Sequence, residues 1–134
     1  MNRSLMRKLV LRRIVFACAM AGTAHAITLS SGPIYGATAQ NRVVCSVINM
    51  GSAPISFGNG QNVIFSTFNG AIVPNFNDCV GSLLPGGMCT TQAAAARDQA
   101  YAYKVLTVRT TGTVRATMRA NDINNHTLIE EDLR

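Results

Sequence analysis

Apolar and polar residues alternate in short runs along most of this chain, and glycine, asparagine and proline separate the runs. Alternation with a period of two is typical of β-strands that bury one face, and the chain shows no heptad and no internal repeat. The clearest strands are predicted at residues 42–48, 62–68, 101–108, 113–120 and 127–131. About seven such strands, spaced about 8–12 residues apart, predict an all-β fold built as an antiparallel β-sandwich.

Turn residues predict how the first of these strands are connected. Residues 53–57 form a short strand that contains a proline, and a Gly-Asn-Gly sequence at 58–60 ends it. Asn69 and Gly70 are typical of a two-residue hairpin turn, which would lead into a strand at 71–73. We therefore expect a hairpin at this position.

Later segments are less regular. Leu83 and Leu84 are expected to fill the core before a Pro-Gly-Gly turn reverses the chain. Residues 88–96 favour a strand, with a helical turn at 94–98 as the alternative because alanine is common there. Residues 110–112 are expected to form a turn between two neighbouring strands.

The N terminus is typical of an export signal. Residues 1–13 are basic, residues 14–21 are apolar, and an Ala-His-Ala sequence at 24–26 matches the small-x-small site cut by signal peptidase, here before Ile27. We predict that this leader is removed and that the mature protein is periplasmic or secreted.

The leader has three other interpretations. The uncharged apolar stretch at 14–24 is far shorter than the roughly 20 residues that a membrane-spanning helix needs, so no transmembrane anchor is expected after cleavage. Arg12 and Arg13 could belong to a twin-arginine signal, and Cys18 could be lipidated. Both alternatives fit poorly, because the residues after Arg13 do not follow the usual twin-arginine consensus and Phe16 is bulky for a lipidation site.

Removal of the leader changes the size and charge that bear on function. Residues 27–134 fit one domain, with 27–41 as an N-terminal arm that could end in an edge strand. The whole chain has a net charge of +6, but the mature part carries seven basic and six acidic residues, a net charge of +1. Nucleic-acid binding, which needs a basic surface, is therefore not expected.

The cysteines that follow the leader predict one disulfide bond. Cys79 and Cys89 are ten residues apart in a loop rich in glycine and proline, which closes easily, so we pair them. Cys45 is then left over, on the strand face that it shares with Val43 and Val47. A buried, inert free thiol is the favoured interpretation, and a reactive or intermolecular thiol is the alternative.

The part of the chain after the leader contains a set of short motifs, namely Cys45, Asn49, Gly51-Ser52, Asp78-Cys79, Leu84-Pro85-Gly86, Cys89 and Tyr101-Ala102-Tyr103-Lys104-Val105. This set resembles a group of small exported bacterial proteins of unknown function, which carry a signal peptide and one immunoglobulin-like β-sandwich. The resemblance implies a fold and an extracytoplasmic location but no activity. Tyr103 stands where that group has a cysteine, so the resemblance implies that Cys45 faces Tyr103 across the core.

The candidate functional residues are few. Arg115 and Arg119 alternate on one face of a predicted strand and Arg109 ends its expected neighbour, so these three could bind an acidic glycan, a lipid head group or a protein. The alternative is a solvated sheet face that pairs with acidic residues of the last strand, namely Glu130, Glu131 and Asp132.

No catalytic, metal-binding or cofactor-binding set is predicted. His126 is the only histidine after the leader and has no neighbour in the sequence suited to catalysis. We expect a monomeric, non-enzymatic module, either binding or envelope-structural, with a protein or glycan partner. The alternatives are a small enzyme or enzyme inhibitor with its site in the loops around Cys79 and Cys89, and a module that pairs an edge strand with a partner.

Overall fold

The computed structural model describes residues 25–109 and 113–134, which form β-strands and one 3-10 turn at Ala37–Ala39. Most of the predicted leader and the turn predicted at 110–112 lie outside the described residues. The strands are β1 (His25–Ser30), β2 (Arg42–Asn49), β3 (Ile55–Ser66), β4 (Gly70–Ile72), β5 (Phe76–Asn77), β6 (Gly81–Leu83), β7 (Met88–Ala94), β8 (Tyr101–Arg109), β9 (Val114–Asn121) and β10 (Thr127–Asp132).

Two antiparallel sheets of five strands each contain all of these strands. The first sheet has the order β1-β8-β3-β4, and β6 also pairs with β3. The second sheet has the order β10-β9-β2-β7-β5. The predicted all-β, antiparallel class is thus confirmed, and the strand predicted at 88–96 in preference to a helix corresponds to β7.

The inner faces of the two sheets share one apolar core. Alternate residues of β2 and β9 are fully or almost fully buried, as the period of two predicts. From the first sheet, β8 contributes Tyr103 and Val105, both with no exposed surface, and β3 contributes Ile55 and Ile64. The core is therefore built mainly from aliphatic side chains.

The two strands predicted on either side of 58–60 are in fact one strand, β3. Phe57 pairs with Thr107 of β8, and Asn62 pairs with Val105. Four residues of β3 therefore lie opposite a single residue of β8, which is a bulge. A Gly-Asn-Gly sequence can end a strand or supply the extra residues of a bulge. Here the residues before and after it both pair with β8, so it forms a bulge.

The predicted hairpin is present, but its loop differs from the prediction. Ser66 pairs with Gly70, so the loop has three residues, 67–69, and Gly70 already belongs to β4. Gly70 has a φ of 63°, which favours glycine, and the Ser66 Oγ accepts the backbone N–H of Asn69 at 3.0 Å. A three-residue loop followed by a left-handed glycine is the next most common hairpin form after the two-residue turn.

Two other expectations were partly wrong. Leu83 packs against the core, but Leu84 is 66% exposed, because the chain turns there and the Leu84 carbonyl accepts the N–H of Gly87. The N-terminal arm contains an edge strand at its start rather than at its end, since β1 pairs with β8 along its whole length.

Backbone hydrogen bonds close one side of the sandwich. The N–H of Ser30 donates to the carbonyl of Arg134 at 3.0 Å, and the N–H of Arg134 donates back at 3.2 Å. The N–H of the buried Leu133 donates to the carbonyl of Ala116 in β9. The end of the chain thus joins the β1 edge of the first sheet to the β10 edge of the second.

On the other side, the edge strand β5 is short, and side chains next to it bond to the part of β7 that it leaves uncovered. The two-residue strand β5 pairs with only part of β7. Beyond β5 the Asn75 Oδ1 accepts the N–H of Ala94 at 2.7 Å, and the Asp78 Oδ1 accepts the N–H of Thr90. These donors would otherwise be free to pair with another strand, which is the usual hazard of a sheet edge.

Gln40 ties the N-terminal arm to the loop between β7 and β8. Its side chain is 1% exposed, and its Oε1 accepts the N–H of Gly36 at 2.8 Å. Its Nε2 donates to the carbonyls of Ala96 and Gln99. The buried amide thereby satisfies backbone groups of two segments that no strand pairs.

We expect the substitution Gln40→Ala to lower the free energy of unfolding by about 2 kcal/mol, because it leaves buried backbone groups without partners. Chemical denaturation followed by circular dichroism measures this loss. The matched control is Gln92→Ala, since the half-buried Gln92 side chain makes no hydrogen bond within the described residues. The control should change stability by less than about 0.5 kcal/mol, and equal losses for the two variants would contradict this role of Gln40.

Candidate functional site

The three arginines predicted as a binding surface do not share one sheet. The predicted neighbours β8 and β9 lie in different sheets, so Arg109 belongs to the first sheet and Arg115 and Arg119 to the second. The side chain of Arg109 lies outside the described part. The expectation failed because a short polar connection can make a hairpin or can cross between sheets, and its residues do not distinguish the two.

Arg115 and Arg119 do lie on the outer face of the second sheet, as the alternation predicts. Arg115 is exposed and Arg119 is half-buried. Arg119 pairs in register with Glu130 of β10, but the ion pairing expected with the last strand is absent from the residues that the structure describes. The Nε of Arg119 is buried without a hydrogen-bond partner. Neither arginine lies in a hollow described below.

Cys79 and Cys89 lie at disulfide-bond distance, with 2.07 Å between their sulfur atoms. This is the pair expected from the sequence. The carboxylate of Asp78 lies within 4.8 Å of both sulfur atoms, so these three residues could form a small metal site only if the sulfur atoms were free thiolates. Joined to each other, the two sulfur atoms hold the segment before Cys79 against β7.

Cys45 is a free thiol in the core, with no exposed surface. Burial raises the pKa of its thiol well above the usual range, and burial also raises the pKa of Tyr103, with a smaller contribution from the nearby Cys45. The nearby Thr91 side chain has the opposite effect and lowers the pKa of Tyr103. The Thr91 Oγ1 donates its hydrogen bond to Asn77 at 2.9 Å, however, and within the described residues the Tyr103 hydroxyl has no partner of hydrogen-bond geometry. The two neutral groups lie close together in the core.

His126 has an acidic neighbour that the sequence analysis missed. Its Nδ1 lies 3.0 Å from the Oδ2 of Asp122, and the Asp122 Oδ1 accepts the backbone N–H groups of Asn124 and His126, both at 2.8 Å. Desolvation alone would raise the pKa of Asp122, but these hydrogen bonds and the His126 ring outweigh it and lower the pKa. The feature of the sequence that could have predicted this contact is the spacing of four residues between Asp122 and His126, across an Asn-rich turn.

A shallow, open groove lies beside β7, at the side that the segment before Cys79 covers. It consists of two adjoining hollows, of about 290 Å³ and about 510 Å³, which share Asn75, Ala93 and Ala94. We call it the alanine groove, because residues 93–96 form its floor. The outer hollow is completed by Asn41, Arg42 and Gln92, and the inner hollow by Asn69, Ile72, Val73, Ala95, Ala96, Gln99 and Tyr101.

Small side chains create the alanine groove. Ala94 is exposed at the end of β7, and Ala95 and Ala96 continue into the loop that crosses to β8. The hydroxyl of Tyr101 accepts the N–H of Ala96 at 2.7 Å, and Gln40 holds the carbonyl of the same residue, so the loop is fixed. Methyl groups on a fixed backbone leave a depression that larger side chains would fill.

The chemistry of the outer hollow is polar and cationic. Its lining has side-chain amides from Asn41, Asn75 and Gln92 and a guanidinium from Arg42, and it contains no carboxylate. The amides of Asn41 and Gln92 make no side-chain hydrogen bond within the described ranges, and Asn75 uses only its Oδ1. Such a surface can bind hydroxyl groups and an anion without first breaking internal bonds.

The sequence pattern does not predict this groove. The alanine run at 93–96 indicates only a strand or a helical turn, and Arg42 stands out only as the first residue of a strand. What could not be seen is that Asn75 and Arg42 approach β7 from opposite sides, because that follows from strand pairing between distant segments.

A third hollow, of about 360 Å³, lies beside the N-terminal arm. Thr38, Gln40, Arg97 and Asp122 contribute to its lining. His126, Asp78 and Asp98 line neither this hollow nor the alanine groove. Within the described residues, no helix has the length and hydrophobicity needed to cross a membrane.

Cys45, Cys79 and Cys89 should differ in reactivity towards a thiol-alkylating reagent. We expect no labelling of Cys45 in the folded protein, because its thiol is buried and neutral, and full labelling in denaturant. Cys79 and Cys89 should label only after denaturation and reduction. Peptide mapping by mass spectrometry identifies the labelled residue, and labelling of Cys45 without denaturant would show that the core opens or that this thiol is accessible.

The hydrogen bonds of Asp122 should make stability depend on pH. Because its folded-state pKa is lowered, ionised Asp122 stabilises the folded protein above its unfolded-state value near 3.8, and this contribution is lost as the pH falls through the lower folded-state pKa. Asp122→Asn should therefore be less stable than the unsubstituted protein at pH 7, and the difference should shrink at pH 3. Asp98→Asn is the control, and a constant difference between pH 7 and pH 3 would contradict this prediction.

Comparisons with known proteins give no relative from which a role could be transferred. A scan against protein-family models found no matching family, and a search of curated proteins found no match. The candidate site therefore rests on the geometry of the alanine groove and on the chemistry of its lining.

Proposed function

We propose that this protein is an exported, immunoglobulin-like β-sandwich module that binds a ligand in the alanine groove and catalyses no reaction. The observation that carries this proposal is the combination, at one sheet edge, of an alanine floor with the side chains of Asn41, Arg42 and Gln92, which make no hydrogen bond within the described residues. Rigid concave surfaces with a few unsatisfied polar groups are typical of binding sites.

Export is supported by two features. The basic and apolar leader ends in a signal-peptidase motif at 24–26. Cys79 and Cys89 lie at disulfide distance, and disulfides are typical of oxidising compartments such as the periplasm or the extracellular space. A net charge close to zero after cleavage also fits a module that does not act on nucleic acid.

The non-enzymatic part of the proposal is supported by the positions of the ionisable groups. Asp78 is bonded to the backbone of Thr90, and Asp122 is bonded to the turn that contains His126. Both carboxylates thus stabilise local structure, and neither lines the alanine groove. General acid-base catalysis needs such groups within reach of a bound substrate.

Nuclear magnetic resonance with the ¹⁵N-labelled exported protein tests this function. Three classes of probe are added separately, namely oligosaccharides, peptides and anionic lipid vesicles. We expect one class to shift the backbone signals of residues 92–96 with a dissociation constant at or below about 1 mM, which corresponds to about 4 kcal/mol of binding free energy.

Two arginine substitutions on the same face of β7 give a matched comparison. Ala94→Arg places a long side chain on the floor of the groove and should abolish the shifts, whereas Met88→Arg, at the other end of the strand, should not. No shift with any class, or equal loss in both variants, would contradict the proposal. Chemical conversion of a probe would favour the enzyme alternative instead.

A further inference from the structure

We propose that the ligand of the alanine groove is an acidic oligosaccharide, whose sugar carboxylate binds Arg42 and whose hydroxyl groups bind the surrounding amides. This inference rests on the proposed function and adds the chemical class of the ligand. It identifies Arg42, Gln92 and Phe76 as residues of the binding site.

Arg42 is a cation without an internal counter-ion. It is half-buried in the outer hollow, on the outer face of the second sheet, and lies in register with Ala94 on one side and Asn121 on the other. In the part of the chain that the structure describes, no carboxylate lies within 4.0 Å of it. A guanidinium binds a carboxylate through two parallel hydrogen bonds, so an acidic ligand would satisfy it.

The neighbour of Arg42 on β9 is a second polar residue that lacks a partner. Asn121 is 4% exposed, and within the described residues its buried Oδ1 has no hydrogen-bond donor. Most buried amide oxygens in folded proteins do have a partner. The Asn121 Oδ1 is an acceptor and does not line the alanine groove, so it bears on the stability of this end of the sheet rather than on the charge of a ligand.

The amides around Arg42 favour hydroxyl groups. Gln92 and Asn41 each offer one acceptor and two donor hydrogens, and Asn75 keeps its Nδ2 available. Adjacent sugar hydroxyls, each both donor and acceptor, match this alternation of donor and acceptor atoms.

Phe76 supplies an apolar surface beside these amides. It pairs with Gln92 between β5 and β7, so both side chains lie on the outer face, and Phe76 is 50% exposed. The adjacent residues Asn75 and Asn77 are hydrogen-bonded to β7 and thereby hold the backbone of Phe76 in place. An aromatic ring held in this way can pack against the C–H face of a sugar ring.

A peptide that adds a strand to this edge fits less well. The N–H groups of Ala94 and Thr90, which an added strand would need, already donate to the side chains of Asn75 and Asp78. Strand addition depends mainly on such main-chain hydrogen bonds. The observations therefore favour recognition by side chains, and so favour a glycan.

The test compares a tetragalacturonate with its methyl ester, in which each carboxylate is replaced by a neutral ester, by isothermal titration calorimetry with the exported protein. We expect the acid to bind about tenfold more tightly than the ester, which is the usual size of one charge-assisted contact. The same pair built on mannuronate examines the other ring stereochemistry.

Three variants assign the contacts. Arg42→Gln should remove the difference between acid and ester, while Arg115→Gln, the same charge change at the other end of the outer face, should keep it. Phe76→Ala should weaken both probes equally. Circular dichroism of each variant shows that it is folded.

The outcomes separate this inference from the proposed function. If the acid and the ester bind equally tightly, or if Arg42→Gln keeps the difference between their affinities, the role of Arg42 is overturned, but binding of a glycan in the groove still stands. Binding of neither uronate, together with shifts of residues 92–96 by a peptide or by vesicles, overturns the glycan inference and leaves the binding module. Absence of any ligand in the groove overturns both.

Discussion

The attachment of one short segment to β7 is the constraint on which much of this structure depends. The Cys79–Cys89 pair fixes the segment at one end, and side chains of Asn75, Asn77 and Asp78 bond to β7 and its neighbours. This attachment covers the edge of the second sheet, places Phe76 on the outer face and forms one wall of the alanine groove. A covalent bond between the segment and the strand also limits the conformations of the unfolded chain, which stabilises the arrangement.

Buried polar groups have different roles at the N-terminal arm and in the centre of the core. Gln40 is fully hydrogen-bonded and joins the arm to the β7–β8 loop. In the centre of the core, by contrast, the hydroxyl groups of Tyr103 and Thr107 are buried without partners among the described residues, and Cys45 lies near Tyr103. Each unpaired buried hydroxyl lowers the free energy of unfolding. Burial of the aliphatic side chains around these hydroxyl groups offsets this loss.

The candidate site contains no unusual residues. Alanine leaves space, asparagine and glutamine offer hydrogen-bonding groups, and one arginine supplies charge. Each of these residues is ordinary on the surface of a β-sandwich. The proposed binding depends on β2, β7 and the segment before Cys79 bringing them to one edge, and on Asn41, Arg42 and Gln92 having no side-chain hydrogen bond within the described residues.

The sequence by itself predicted the leader motif, the Cys79–Cys89 pairing, the all-β class and the strands that correspond to β2, β7, β8, β9 and β10, because alternation, turn residues and short loop closure act between residues close in the chain. It did not predict the strands β1, β5 and β6. It did not determine that residues 55–66 form one strand, that β8 and β9 belong to different sheets, or that Arg42 and Asn75 meet at β7. These features depend on pairing between distant segments, and the local pattern of a strand is the same whichever partner it has. Only the tertiary structure therefore decided where the candidate site lies.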